Sequence, residues 1–268
     1  MKAAILRIEG TNCEEEMLQA FLQAGFEAEH VHLKQLTGDC ITERKRNLFD
    51  YDVLMFPGGW SAGDYVRAGA IFAARFKSKL GKDINEFVSE GRLVGGVCNG
   101  FQILLELGFL PGFNGMSVSP EACLANNLKG FQCRPTYLVH ESTTPFTNKI
   151  KVGEVLQIPV AHGEGRLTFG EKNKERLKEL EANDQIVFHY CNPDGVKAGG
   201  EFPWNPNGSL DDIAGICNPE RNVLGMMPHP ERVVDVIQES DWTRQTEKKI
   251  GDGKILFESI ASYVKKRR

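Results

Sequence analysis

The segment Gly96-Val97-Cys98-Asn99-Gly100 is the part of this chain best suited to nucleophilic chemistry. It is a cysteine version of G-x-S-x-G, in which a strand turns abruptly into a helix with the nucleophile at the apex. Glycines at 96 and 100 take away side chains that would clash in such a turn. Cys98 then stands at a helix N-terminus, where the positive end of the helix dipole favours a thiolate. The backbone N–H of Asn99 is among the first helical amides, which lack internal partners, so it is free to receive a developing oxyanion. Cys217 also follows apolar residues but has no glycine frame.

A cysteine nucleophile needs a base, and the base needs a group to orient it. Of the six histidines, His229 lies in Met227-Pro228-His229-Pro230-Glu231-Arg232. The flanking prolines restrict its backbone. Glu231 is two residues on and projects to the same side of an extended segment, so it can orient the imidazole. The pattern alone leaves a surface histidine open as the alternative. His162 sits in a glycine-rich loop, Ala161-His162-Gly163-Glu164-Gly165-Arg166. His30, His32, His140 and His189 lie at strand ends without polar company and read as structural. Pro57-Gly58-Gly59 closes an apolar run, where α/β proteins place ligand loops. Bare backbone there lets amides face a bound group; a simple tight turn is the alternative.

Those residues need elements to hold them. Residues 2–8 read as a strand, followed by a helix with Asn12 as N-cap and Glu15 as capping-box partner. Met17, Leu18, Phe21 and Leu22 give that helix its apolar face, and Gly25 ends it. Residues 26–31 read as a second strand, and a strand–helix–strand opening implies a parallel sheet. Residues 34–47 are a polar surface excursion. Residues 53–56 form a short, wholly apolar strand of the kind buried on both faces. Helical spacing recurs over 68–76 and 84–90. A strand over 93–97 then leads into Cys98, and a helix over 101–107 is stopped by Gly108 and Pro111. Beyond Pro111 come strands over 131–139, 155–158, 186–190, 213–217 and 223–227, the last two joined by a turn at 218–222. Residues 201–209 form a loop, and a final helix covers 254–265.

The composition removes several function classes. A chain of 268 residues with 41% hydrophobic and 25% charged residues is ordinary globular material. A net charge of −4, from 32 basic and 36 acidic residues, argues against nucleic-acid binding, which needs a basic excess. The one basic run, Lys265-Lys266-Arg267-Arg268, reads as a solvated helix end. The seven cysteines show no C-x-x-C spacing, so neither a zinc site nor a redox dithiol is expected, and the thiols suit a reducing cytoplasm. The first residues are too short an apolar stretch for a signal peptide. No run approaches the roughly 18 apolar residues of a membrane span.

The residues 96–104 together with 226–232 resemble those of class I (triad) glutamine amidotransferases. Further blocks narrow the resemblance to the glutaminase subunits of phosphoribosylformylglycinamidine synthase, of purine biosynthesis. They are Gly10-Thr11-Asn12-Cys13, Pro57-Gly58-Gly59, Gly63-Asp64-Tyr65-Val66-Arg67, Cys133-Arg134-Pro135, the stretch 159–165 and Asp212-Ile213-Ala214-Gly215. The blocks run in the family's order to about residue 235. Trp60-Ser61-Ala62 departs from the family's frequent Phe-Ser-Tyr. The stretches 34–47, 72–83 and 201–209 look longer than in compact members, which bears on partner contacts.

The resemblance implies a flavodoxin-like α/β fold: an open, mostly parallel sheet flanked by helices, with an added antiparallel hairpin region, as a single domain over 1–268. It implies Cys98 as nucleophile, with His229 and Glu231 completing the triad. Backbone amides at Gly58 or Gly59 and at Asn99 would form the oxyanion hole. Gln102, one turn beyond Cys98, would help hold glutamine, and the loop 161–165 would lie near the glutamine pocket or the ammonia exit. Ammonia would pass to a larger synthetase subunit that converts formylglycinamide ribonucleotide to its amidine. With no G-x-x-x-x-G-K-[ST] loop in this chain, ATP and magnesium fall to that partner. A small third subunit is left open. Rotation of the Gly58–Gly59 peptide is expected to gate activity, coupled to the partner through Trp60, Tyr65 and Arg67. The alternatives are a glutaminase subunit of another amidotransferase, and a cysteine hydrolase or peptidase on the same fold.

Overall fold

The computed structural model describes residues 1–244 and 247–267. Arg268, the last residue of the basic run, lies outside them. The chain opens with β1 (Lys2–Arg7), α1 (Glu14–Gln23), β2 (Glu27–His32), a short α2 (Leu33–Thr37) and β3 (Val53–Phe56). It continues through α3 (Ala70–Ser89), β4 (Leu93–Val97), α4 (Asn99–Leu107), β5 (Cys123–Asn126), β6 (Gln132–His140), β7 (Val155–His162) and β8 (Glu164–Thr168). It ends with α5 (Asn173–Ala182), β9 (Ile186–Cys191), β10 (Ile213–Cys217), β11 (Val223–Met226) and α6 (Lys254–Arg267).

Nine strands form one sheet in the order β2-β1-β3-β4-β11-β10-β9-β6-β7, and β5 pairs with β8 apart from it. The run from β2 to β11 is parallel throughout. From β11 onward every pairing is antiparallel. The central strands β3, β4 and β11 are buried at every position, as their unbroken apolar sequences require. Because these three are neighbours and parallel, their C-terminal ends lie side by side on one edge. That is the edge where open α/β sheets place their ligands.

The antiparallel part returns to the same edge. In sheet order β7 stands four places from β11. Yet His229, just past β11, donates its N–H to the Pro159 carbonyl of β7 at 2.8 Å. The sheet therefore curls, and the end of β7 faces the ends of β4 and β11 across a cavity.

Several expectations need correcting. Asn12 does not cap α1. The helix begins one residue later than that cap requires, after Cys13 and with no side-chain cap, and the amides of Asn12 and Cys13 both donate to the Gly58 carbonyl. Leu22 is largely exposed, while Met17 and Phe21 are buried. The two helical stretches expected over 68–76 and 84–90 are one helix, and 72–83 lies in its middle: α3 runs unbroken, and Phe72, Ala73, Phe76 and Leu80 bury its inner face. The strand expected to stop at 158 continues through Pro159 to His162. As an edge strand, β7 tolerates a residue without N–H. The elements β5, β8 and α5 had no clear periodic signal. The four histidines read as lacking polar company do have partners. His189, for example, sits between Glu141 at 2.9 Å and Asp211 at 3.3 Å.

Candidate active site

Cys98 sits at the apex between β4 and α4 with φ 53° and ψ −108°, a conformation rare for any residue with a Cβ. The neighbouring glycines make it attainable. A Cβ on Gly96 would fall 2.4 Å from the Gly100 carbonyl oxygen, and one on Gly100 would fall 1.8 Å from that of Phe56. The turn is thus packed backbone to backbone. Cys98 N–H donates to the Met226 carbonyl at 2.8 Å, which ties the apex to β11. Its sulfur lies 3.9 Å from the Ala161 carbonyl oxygen on β7.

The expected base and its partner meet. His229 Nδ1 is 2.5 Å from Glu231 Oε1, and both side chains are about 1% exposed. The carboxylate fixes the proton of Nδ1 and leaves Nε2 for proton exchange. Nε2 has no hydrogen bond among the described residues. Burial opposes charge on this ring, but the Glu231 carboxylate and the Cys98 sulfur outweigh it and hold the pKa well above its ordinary value. Gly58 shows how tightly the three loops converge. A Cβ there would lie 2.7 Å from His229 Cε1 and 3.4 Å from Cys98 Cβ.

The Gly58–Gly59 peptide is held rather than free. Its carbonyl accepts from the amides of Asn12 and Cys13, each at 3.2 Å, so rotation would break two hydrogen bonds. In a trans peptide the Gly59 N–H points opposite that carbonyl. Gly59 lines the cavity, and neither its N–H nor that of Asn99 donates to a backbone carbonyl outside the regular elements among the described residues.

Asn99 organises the next layer with its side chain. Its Oδ1 accepts from the Ser61 amide at 3.1 Å, and its Nδ2 donates to Asp64 at 3.2 Å and to Gln102 Oε1 at 2.9 Å. Gln102 in turn donates to the Glu164 carbonyl at 2.8 Å. Gln102 therefore lines the cavity with half its amide already committed. Ala62, Asp64 and Val66 all have positive φ, a strained run that brings Asp64 to the cavity. Burial first, and then the Glu164 carboxylate, push the Asp64 pKa up to about 6.

The cavity measures about 540 Å³, room for an amino acid, and Cys98, His229, Gln102, Asp64, Glu164 and His162 are in its wall. Sequence reasoning missed the roles of Asp64 and Glu164 here. Both fell within family blocks, but nothing in their spacing announced that the two loops meet. It also missed Cys13, whose sulfur accepts from Arg232 Nη2 at 3.0 Å. Cys13, His229 and Glu231 place ligand atoms within 4.8 Å of one another. The 2.5 Å between Nδ1 and Oε1 fits a shared proton, whereas two ligands of one zinc ion would stand farther apart.

Residues 1–264 match the family model of the CobB/CobQ-like glutamine amidotransferase domain. The chain is 49% identical to the phosphoribosylformylglycinamidine synthase subunit PurQ of Archaeoglobus fulgidus, over 99% of this chain and 98% of that one. It is 47% identical to the PurQ subunit of Picrophilus torridus over 96% of both chains. Among solved structures it resembles a chain of PurLQS from Thermotoga maritima, with a TM-score of 0.72, 33% identity and 98% of each chain covered.

Proposed function

The chain belongs to the glutamine amidotransferase family, within it to the PurQ glutaminase subunits of phosphoribosylformylglycinamidine synthase, and we propose that Cys98, His229 and Glu231 carry its reaction. The observation that supports this most is the convergence at Gly58, where one added Cβ would touch both the nucleophile's and the base's side chains. The whole chain, 1–268, acts as one amidotransferase domain.

Glutamine enters the cavity with its α-ammonium toward Asp64 and Glu164, the acidic end of the wall. Gln102 keeps that end in place through Asn99 and the Glu164 backbone. Cys98 attacks the carboxamide carbon as a thiolate, its proton held on His229 Nε2. The oxyanion that forms is received by the amides of Gly59 and Asn99, with Gly58 setting the first of them. His229 then gives its proton to the leaving nitrogen, the C–N bond breaks, and ammonia departs. A water, deprotonated by His229, attacks the thioester, and the C–S bond breaks to give glutamate and free Cys98. Glu231 stabilises the imidazolium in both halves.

Ammonia passes to the synthetase subunit, PurL in the relatives' assembly, where it converts formylglycinamide ribonucleotide to its amidine. A small PurS subunit belongs to the same kind of assembly. ATP and magnesium bind on the synthetase. The exposed Trp60, Tyr65 and Val66 beside the cavity mouth suit its docking face. Arg67 is already paired with Glu106 and contributes less than its position suggested. No helix among the described residues is long and apolar enough to cross a membrane, and the seven free thiols suit the cytoplasm.

The test is Cys98→Ala in the assembled complex. Glutamine-dependent amidine formation should vanish while ammonium-dependent formation persists, since the synthetase chemistry lies in the partner. Substantial glutamine use by this variant would refute the reading.

A further inference from the structure

The mechanism leaves a buried imidazole in the cavity wall unused. His162 ends β7, is 4% exposed and lines the cavity together with Cys98 and His229. Its ring lies on Gly165, where a Cβ would fall 2.4 Å from its Cε1. Asn207 holds Gly165 from the other side, donating to its carbonyl at 2.7 Å.

Asn127 fixes the tautomer of this ring. Its Oδ1 accepts from the Gly165 amide at 2.9 Å, so the other end of the side chain is the NH2. That NH2 donates to the carbonyls of Gly130 at 3.0 Å and His162 at 2.8 Å, and faces His162 Nδ1 at 3.2 Å. A proton on Nδ1 would set two donors against each other, so the ring's proton is on Nε2. This Nε2–H is buried and has no hydrogen-bond partner among the described residues. An unpaired buried donor costs about 1–3 kcal/mol, so a site that keeps one points to a ligand atom that completes it.

Three of the acceptors that pass through the cavity in the proposed reaction derive from glutamine. The carboxamide oxygen goes to the amides of Gly59 and Asn99. The α-carboxylate is a full anion, for which the cavity offers the cation Arg232. The third acceptor is the lone pair of the released ammonia. His162 suits it chemically. Burial, and then the charge on His229, push its pKa down to about 3, so the ring is neutral and has no proton to give away. A histidinium would convert ammonia to ammonium, which cannot attack as a nucleophile. A neutral N–H engages the lone pair and leaves it unprotonated.

Building on the glutaminase reading above, we propose that His162 Nε2–H holds the newly released ammonia by its lone pair, as the first station on its way to the synthetase. No covalent bond forms or breaks at His162. The proton that completes ammonia comes from His229.

The test is the ratio of amidine formed to glutamate formed in the assembled complex, for two substitutions. His162→Phe keeps a ring but removes the donor. His162→Gln restores an N–H near the position of Nε2. The ratio should fall about threefold or more in His162→Phe, a change of the size expected for one lost hydrogen bond. Free ammonium should appear in solution, and His162→Gln should recover most of the ratio. An unchanged ratio in His162→Phe overturns the proposal, as does loss of glutamate formation in both variants at an unchanged ratio. A second measurement does not depend on those variants folding. In Cys98→Ala, the nitrogen-15 resonance of the His162 side chain should report a proton on Nε2 and should shift when ammonia is added under alkaline conditions. A proton on Nδ1, or no shift, also overturns it. Failure of the glutaminase reading itself would show separately, as glutamate formed by Cys98→Ala.

Discussion

The two walls of the cavity are built by opposite means. The elbow wall, at the ends of β3, β4 and β11, is shaped by side chains that are absent. Gly58, Gly96 and Gly100 each sit where a Cβ would come within 3 Å of a neighbouring atom. The facing wall, at the end of β7, is shaped mainly by side chains that are present, with Gly165 as a comparable glycine. Asn127, Asn207 and Gln102 cross-link its backbone through their amides. The first wall holds the Cys98 sulfur and the His229 imidazole in one geometry with no slack. The second surrounds the ligand with donors, acceptors and charge. Changes in the first should therefore stop the reaction, and changes in the second should retune it.

The largest effects should come from the triad. His229→Asn removes the group proposed to move both protons, and kcat for glutamine hydrolysis should drop about 10⁴-fold or more. Glu231→Gln keeps the ring in place but removes the charge that holds it protonated, so the loss should be smaller, about 10²–10³-fold. Steady-state glutamate release measures both. A reversed order would contradict the supporting role given to Glu231.

Stability should separate the walls next. Gly100→Ala drives a Cβ into the Phe56 carbonyl and should destabilise the fold by about 3 kcal/mol, a fall in Tm of roughly 6–12 °C. Gly163→Ala, in the facing wall, meets nothing nearer than Phe131 at 3.8 Å and should change stability by less than about 0.5 kcal/mol. Equal effects in a thermal melt would erase the distinction.

The smallest effect concerns affinity. With its pKa near 6, Asp64 is neutral below that pH and charged above it. A cationic α-ammonium should bind better to the charged form. KM for glutamine should fall a few-fold as pH rises through about 6, and Asp64→Asn should remove that step from the KM profile. A step that survives in Asp64→Asn would assign it to another group.

How legible each wall was in the sequence follows from its construction. The elbow is local: five consecutive residues hold the glycines, the proposed nucleophile and a proposed oxyanion amide. His229 and Glu231 are likewise two residues apart. Strands as apolar as β3 and β4 could be placed from composition alone. The facing wall brings together His162 from the end of β7 with Asn127 and Asn207 from two loops, and no periodicity links them. Even there, Ala161-His162-Gly163-Glu164-Gly165 drew attention through its glycines, and Gly165 proved necessary because the His162 ring occupies the space of its side chain. The N-cap assigned to Asn12 failed because the helix starts one residue later, after Cys13, where the backbone is tied to Gly58 by a tertiary contact that a capping pattern cannot reveal. The stretch 72–83 stands out only as longer than in compact members of the family, which says nothing of its conformation. Phe72, Phe76 and Leu80 keep it helical.

The central claim is that Cys98 itself becomes acylated. The direct measurement is to incubate the complex with isotope-labelled glutamine, quench in acid and map the label by peptide mass spectrometry. The account predicts a glutamyl thioester on the peptide containing Cys98, released by hydroxylamine and missing in Cys98→Ala. Label on Cys13, the other buried thiol of the cavity, would contradict it, as would full turnover with no thioester at Cys98.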